Sequence, residues 1–232
     1  MILRAELVRI SINKSSNLYI EGNLMIPDNP IAIVVFAHGS GSGKNSTRNQ
    51  LVAKKLNDSS IATMLLDLLS DEEQVFDSQI EKVTSNIPGM VLNKFNISLL
   101  TRRLSLATDW VSINPYTEKL QLGYFASRTG GAAALLAACK YNIMSLVLRS
   151  GRTDLVENKF LEQIVSPCLF IAGSMEKSVI KISNETMKKM SNCNEKKLSI
   201  IEGASHLFEE QGAMQACAEL ATEWLTGHFI SG

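Results

Sequence analysis

The sequence has no uninterrupted apolar run that approaches the roughly 20 residues needed to cross a bilayer. Charge of one sign is not in excess either, since Lys plus Arg and Asp plus Glu each number 23. With no basic, aromatic-interleaved patch, the chain lacks the electrostatic footprint of a nucleic-acid binder. A membrane partner is equally unexpected. Cysteine is scarce: Cys139, Cys168, Cys193 and Cys217 form no C-x-x-C pair, which argues against a disulfide framework or a zinc site. The opening MILRAELVRISI alternates like a strand and has neither the apolar core nor the cleavage site of a secretory signal. These absences predict a soluble, cytoplasmic protein that acts on a small molecule. The 232 residues suit one domain with a sizeable core.

What is present is strand-like and periodic. Residues 5–12 and 17–25 alternate apolar and polar around the short polar stretch Asn13 to Ser16, the pattern of an antiparallel hairpin. IAIVVFA (31–37) is continuously apolar and β-branched, as a strand covered on both faces must be, and IATMLLDL (61–68) and KLQLGYF (119–125) repeat that character. MSLVLRS (144–150), PCLFIAG (167–173) and KLSIIEG (197–203) follow, alternating with helices near 181–191 and 209–229. An amphipathic helix is expected over 93–113, whereas 71–95 is read as mostly irregular, a small lid. The sum is an α/β fold: a mostly parallel twisted sheet flanked by helices, with an N-terminal antiparallel hairpin and no large cap domain. Ligands of such sheets bind at the carboxyl ends of the strands.

Between Leu122 and Leu136 the chain reads LGYFASRTGGAAALL, a strand running through a sharp turn into a small-residue helix. In a nucleophile elbow the apex residue is strained, and the positions two before and two after it must be small. Centring the turn on Arg128 satisfies that rule, with Ala126 before and Gly130 after. Centring it on Ser127 places Phe125 and Thr129 there instead. Steric demands favour Arg128 and chemistry favours Ser127, because a guanidinium stays protonated and cannot attack a carbonyl.

Other strand ends carry residues suited to acyl transfer. Glu176 lies three residues past Gly173, and His206 three past Gly203. A carboxylate that orients a histidine, which deprotonates a hydroxyl, requires three loops at one rim of a rigid sheet. The three histidines are His38, which opens a glycine loop, His228, near the end of the chain, and His206, the well-placed base. The loop HGSGSG at 38–43 is the candidate oxyanion hole, with Ser40 as one donor and the backbone of Arg128 or Thr129 as the other, depending on the apex. Lys44 and Ser46 follow this loop without the spacing of a phosphate-binding P-loop. Arg149 and Arg152 follow a further strand; their forks could hold a carboxylate, but bracing of loops is the favoured reading.

The segments VVFAHGSGSG, ATMLLDLL, LGYFASRTGGAAALLAA, RSGRTDL and GASHLFEEQGA resemble the dienelactone-hydrolase-related branch of the α/β-hydrolase superfamily over nearly the whole chain. GASHLFEE is the most specific match. The resemblance implies cofactor-free, metal-free hydrolysis of small carboxylic esters or lactones through a serine acyl-enzyme. In that reading His206 is the base, Glu176 stands where Asp is usual, and Ser127 is the nucleophile, given one residue lost before Ala126 and one gained after Ser127. Aligned without gaps, the family's Gly-Ala-Ser becomes Ala126-Ser127-Arg128. The chain is then an inactive homologue that binds a small carboxylate-bearing ligand. Hydrolysis through Ser127 is the favoured expectation, and the Arg128 apex its alternative.

Overall fold

Buried β-branched runs pair where the sequence leads them. The computed structural model describes residues 2–13, 17–38, 43–83 and 92–230. Eight strands form one sheet: β1 (Ile2–Ser11), β2 (Tyr19–Pro27), β3 (Ala32–Ala37), β4 (Ile61–Leu66), β5 (Gln121–Arg128), β6 (Ser145–Gly151), β7 (Cys168–Gly173) and β8 (Lys196–Ile201). Their order is β1-β2-β4-β3-β5-β6-β7-β8. The first two are an antiparallel hairpin, β2 joins β4 antiparallel, and every pairing from β4 to β8 is parallel. β3 to β7, except for the ends of β5, are buried residue by residue, as strands covered on both faces must be.

Two apolar layers cover the sheet. On one face α1 (Thr47–Asp58) and α7 (Ala213–Ile230) pack with Phe36, Phe125, Val147 and Ile171. On the other, α3 (Ile97–Ile113) and α4 (Thr129–Ala138) pack with Val35, Tyr124, Leu146 and Phe170. α5 (Asn158–Leu161) and α6 (Lys177–Lys189) complete the β-α alternation. Among the described residues no helix is long and apolar enough to cross a membrane.

The stretch 71–95, expected to be irregular, begins instead with a helix, α2 (Asp71–Val83). Its start is a reciprocal cap: the Glu73 amide donates to Ser70 Oγ at 3.3 Å and the Ser70 amide to Glu73 Oε2 at 2.9 Å. Asp71, Glu72 and Glu73 place negative charge against the positive end of the helix dipole. Asp77 then accepts the amides of Asn93 and Lys94 at 2.9 and 2.8 Å, fixing a turn of 3-10 helix (Asn93–Phe95). The part of the expected lid at 84–91 lies outside the described residues.

β5 also runs three residues further than expected, through Ala126 and Ser127 into Arg128, and turns directly into α4. Gly130 makes that turn possible. A Cβ there would stand 2.3 Å from the Ala37 carbonyl oxygen and 2.6 Å from its carbon, so only glycine lets α4 start so close to β3. Gly130→Ala is expected to lower stability by about 1–3 kcal/mol in urea unfolding, the cost of forcing atoms into a packed site; an unchanged midpoint would show that helix and strand are not in contact. Deeper in the same strand, Tyr124 Oη and Thr108 Oγ1 are 2.6 Å apart, both buried. Tyr124→Phe should cost about 1 kcal/mol by the same measurement.

Candidate active site

Parallel strands end at one rim, and the side chains that follow β5, β6, β7 and β8 meet there. Glu176 immediately precedes α6, its amide bonded to the Gly173 carbonyl at 3.0 Å. The turn folds the carboxylate back so that Oε2 accepts the Gly173 amide at 3.1 Å and the Ser150 hydroxyl at 2.7 Å. Oε1 lies 2.5 Å from Nδ1 of His206. A carboxylate only accepts, so the ring proton resides on Nδ1 and Nε2 is left as the ring's acceptor. The Glu176 side chain is 5% exposed and that of His206 48%, so the acid is shielded from water while the imidazole is open to a ligand.

Ser150 was not among the residues singled out from sequence, yet it bonds directly to the acid. Its φ of 47° turns the end of β6 toward α6. The available signal was its position at the end of the strand beside the one that carries the acid.

The structure places Arg128, rather than Ser127, at the strand-to-helix junction. Arg128 has φ 53° and ψ −129°, a region that costs a non-glycine residue about 1–3 kcal/mol. Its register partner shifts from Arg149, opposite Ser127, to Gly151. Ser127 is still in extended β5 and is 2% exposed. Phe125 packs under α1 and α7 and Ala126 on the opposite face, so strand alternation puts Ser127 on the α1/α7 side. No hydrogen bond among the described residues joins Ser127 to His206. The physical reason is steric: Ala126 and Gly130 flank position 128, whereas Phe125, buried against Phe36 with ring centroids 5.0 Å apart, blocks the same turn around Ser127. With Arg128 at the apex, the residue after it is Thr129, the first of α4, so the expected backbone donor shifts from Arg128 to Thr129. Thr129 Oγ1 also donates to the Lys94 carbonyl at 3.0 Å, tying the elbow to the 3-10 turn.

Ser40, expected from the sequence to be the other donor, lies outside the described residues. Just beyond that loop Asp67 accepts the Lys44 amide at 2.8 Å and Lys44 Nζ at 2.7 Å, with Glu21 3.1 Å from the same ammonium. Burial works to lower the Lys44 pKa, but these carboxylates raise it on balance, so Lys44 fastens the loop and Ser46 caps α1. His38 is buried with Nε2 3.7 Å from Asp67 Oδ1.

Several arginines gather at the same end of the sheet. Arg149, 6% exposed, points Nη1 at Met214 Sδ (3.2 Å) and lies over the Phe208 ring (5.7 Å). Burial disfavours its charge most; Arg48 and Arg128 push it further down, while Glu176 acts the other way. Arg128 is half-buried and shifted down for the same reasons, burial first and Arg48 next, again opposed by Glu176. Arg152 instead grips Asp154 through two bonds of 2.8 Å, the bracing role expected of it. His228, far along α7, bonds the Trp224 carbonyl at 2.6 Å. Among the described residues no group of three or more His, Cys, Asp or Glu could hold a metal ion.

Comparison with known proteins gives this geometry its relatives. No family model matches the chain. A dienelactone hydrolase from Anabaena variabilis is 38% identical with a TM-score of 0.85, covering 97% of this chain and 98% of its own. Est1E from Butyrivibrio proteoclasticus shares the fold at 12% identity and TM-score 0.74, covering 97% and 99% of the two chains. An alpha-beta serine hydrolase homologue from Coxiella burnetii does so at 14% and 0.69, covering 96% and 97%. Curated relatives in two strains of Mycobacterium tuberculosis, provisionally described as phosphoribosyl transferases, are 38% identical over 212 residues, 90% of this chain. This chain spans 44% of their length. The structural neighbours are hydrolases and esterases, and with near-complete coverage of the Anabaena protein at that identity, the chain belongs to the dienelactone-hydrolase-related branch of the α/β-hydrolase superfamily.

Proposed function

We propose that this chain is a binding member of its family, one that holds a small carboxylate at the site where its relatives' fold presents a nucleophile. The observation that carries this reading is the positive φ of Arg128 at the elbow. A guanidinium has five N–H donors and no lone pair to give to a carbonyl carbon. It forks around a carboxylate in two parallel bonds, an arrangement that an ammonium or a hydroxyl cannot match.

The rest of the rim serves the same end. An ester-cleaving site stabilises negative charge on oxygen, and the acid product carries such a charge permanently. Remove the nucleophile and keep the donors, and the acid becomes the favoured ligand. The first-turn amides of α4 supply donors at the positive end of a helix. Glu176 steadies His206, whose exposed imidazole can donate to a bound anion when protonated.

A second reading, hydrolysis of small carboxylic esters or lactones through a Ser127 acyl-enzyme, is favoured by a different observation. Glu176 keeps three polar partners, His206 among them, which is the acid–base half of such a mechanism. In that mechanism Ser127 would attack, His206 would carry the proton, Glu176 would orient it, and the backbone near Ser40 and Arg128 would hold the oxyanion. It requires the turn to be remodelled so that Ser127 leaves the α1/α7 layer.

Two experiments separate the readings. With a fluorophosphonate probe and an activated short-chain ester, wild type and Ser127→Ala should behave alike and show no labelling, whereas Arg128→Ser should gain labelling. Wild-type labelling that disappears in Ser127→Ala establishes the hydrolase instead. Calorimetry with propionate and benzoate should show binding to wild type that weakens about 10- to 100-fold in Arg128→Ala, the worth of a charge-assisted pair of bonds. Unchanged affinity would remove Arg128 from the ligand site.

A further inference from the structure

Far from the rim, at the opposite end of β7, two thiols converge on one carbonyl. Sγ of Cys168 and Sγ of Cys193 each lie 3.2 Å from the main-chain oxygen of Ser166, so the two sulfurs are no more than twice that distance apart. Cys193 Sγ is also 3.3 Å from the Glu195 carbonyl, which accepts the Cys168 amide at 2.9 Å. The segments carrying the two residues are therefore already joined by main-chain bonding, and Lys196 Nζ holds the turn closed by donating to the Met190 and Cys193 carbonyls at 2.6 and 3.0 Å. Both cysteines are almost wholly buried.

The environment makes the thiols unequal. A hydrogen bond from Cys168, with help from the Glu195 region and the Lys196 charge, lowers the Cys193 pKa despite burial. Burial raises that of Cys168. The two thiols therefore sit in different surroundings, Cys193 in the turn that the Lys196 ammonium closes and Cys168 wholly enclosed at the start of β7. Ser166 and Glu195, whose carbonyls touch the sulfurs, also line an open cleft of about 570 Å³ with Pro167, Val165 and His228. The other two cysteines lack such a partner: Cys139 bonds the Leu135 and Phe160 carbonyls, and Cys217 lies on the buried face of α7 with its pKa pushed up by burial to about 12.

We infer that Cys168 and Cys193 form a reversible thiol–disulfide site, closed by a small peroxide arriving through the cleft beside Ser166 and Glu195. The Cys193 thiolate attacks one peroxide oxygen, the O–O bond breaks, and a sulfenic acid forms with release of hydroxide. The Cys168 sulfur then attacks the sulfenic sulfur, the S–O bond breaks, and the displaced hydroxide leaves as water with the Cys168 proton. The peroxide is reduced by two electrons and the pair of thiols is oxidised by two. A dithiol reductant reverses the bond by exchange. The site does not depend on the reading of the elbow.

Treating the purified protein with hydrogen peroxide, blocking free thiols under denaturing conditions and mapping peptides tests this directly. Two of the four thiols should be lost, with a Cys168–Cys193 linked peptide that dithiothreitol releases. Cys139→Ser should retain the link, and Cys168→Ser should leave a sulfenic acid at Cys193 that dimedone captures. Retention of all four thiols in the wild type, or a link through Cys139 or Cys217, would overturn the inference whatever the variants do.

Discussion

The approach of Gly130 to the Ala37 carbonyl is the constraint from which the site follows. It presses the first turn of α4 against the end of β3, leaving the chain too little room to turn gradually out of β5. One residue must absorb the change of direction at positive φ, and the packing of Phe125 against Phe36 decides which. Ser127 is kept inside the sheet, Arg128 takes the strain, and a guanidinium stands where the fold's architecture presents a reactive group. The strain is tolerated because the residues on both sides of Arg128, Leu122 to Ser127 in β5 and Thr129 to Leu135 in α4, are buried, so the neighbouring structure determines the turn.

Electrostatics then give the rim its character. Arg48, Arg128 and Arg149 lie within one another's influence, and the carboxylate that offsets the last two, Glu176, is also engaged by His206, Ser150 and the Gly173 amide. Like charges brought together under partial burial are costly, and an anion is what relieves such an arrangement. A bonded Glu176–His206 pair beside a group of guanidinium side chains is compatible with carboxylate binding. They serve acyl transfer only if a hydroxyl reaches His206.

Most of the fold was legible because a doubly covered sheet writes itself as apolar runs: β3, β4, β6 and β7 lie within a residue or two of the expected positions. The end of β5 was harder to read. Ala126 and Ser127 are small and polar-tolerant, so nothing in composition distinguishes a continuing strand from a turn, and the answer depends on contacts with β3 and β6. The small residues two places either side of Arg128 were the signal that counted. α2 was missed although Ser70 and Glu73 carry the spacing of a capping box, because its helical pattern is polar over most of its surface. Glu176 and His206 could be found from strand ends alone. Ser150 also lies at a strand end, but its bond to Glu176 depends on a positive φ that sequence does not display.

The most direct test of this account is a crystal structure of the chain grown with a small carboxylate such as propionate, refined well enough to fix residues 124–131. The account predicts positive φ at Arg128, the Ser127 hydroxyl enclosed on the α1/α7 side, and the carboxylate within hydrogen-bond distance of the guanidinium. Positive φ at Ser127, with its oxygen bonded to Nε2 of His206, would contradict it.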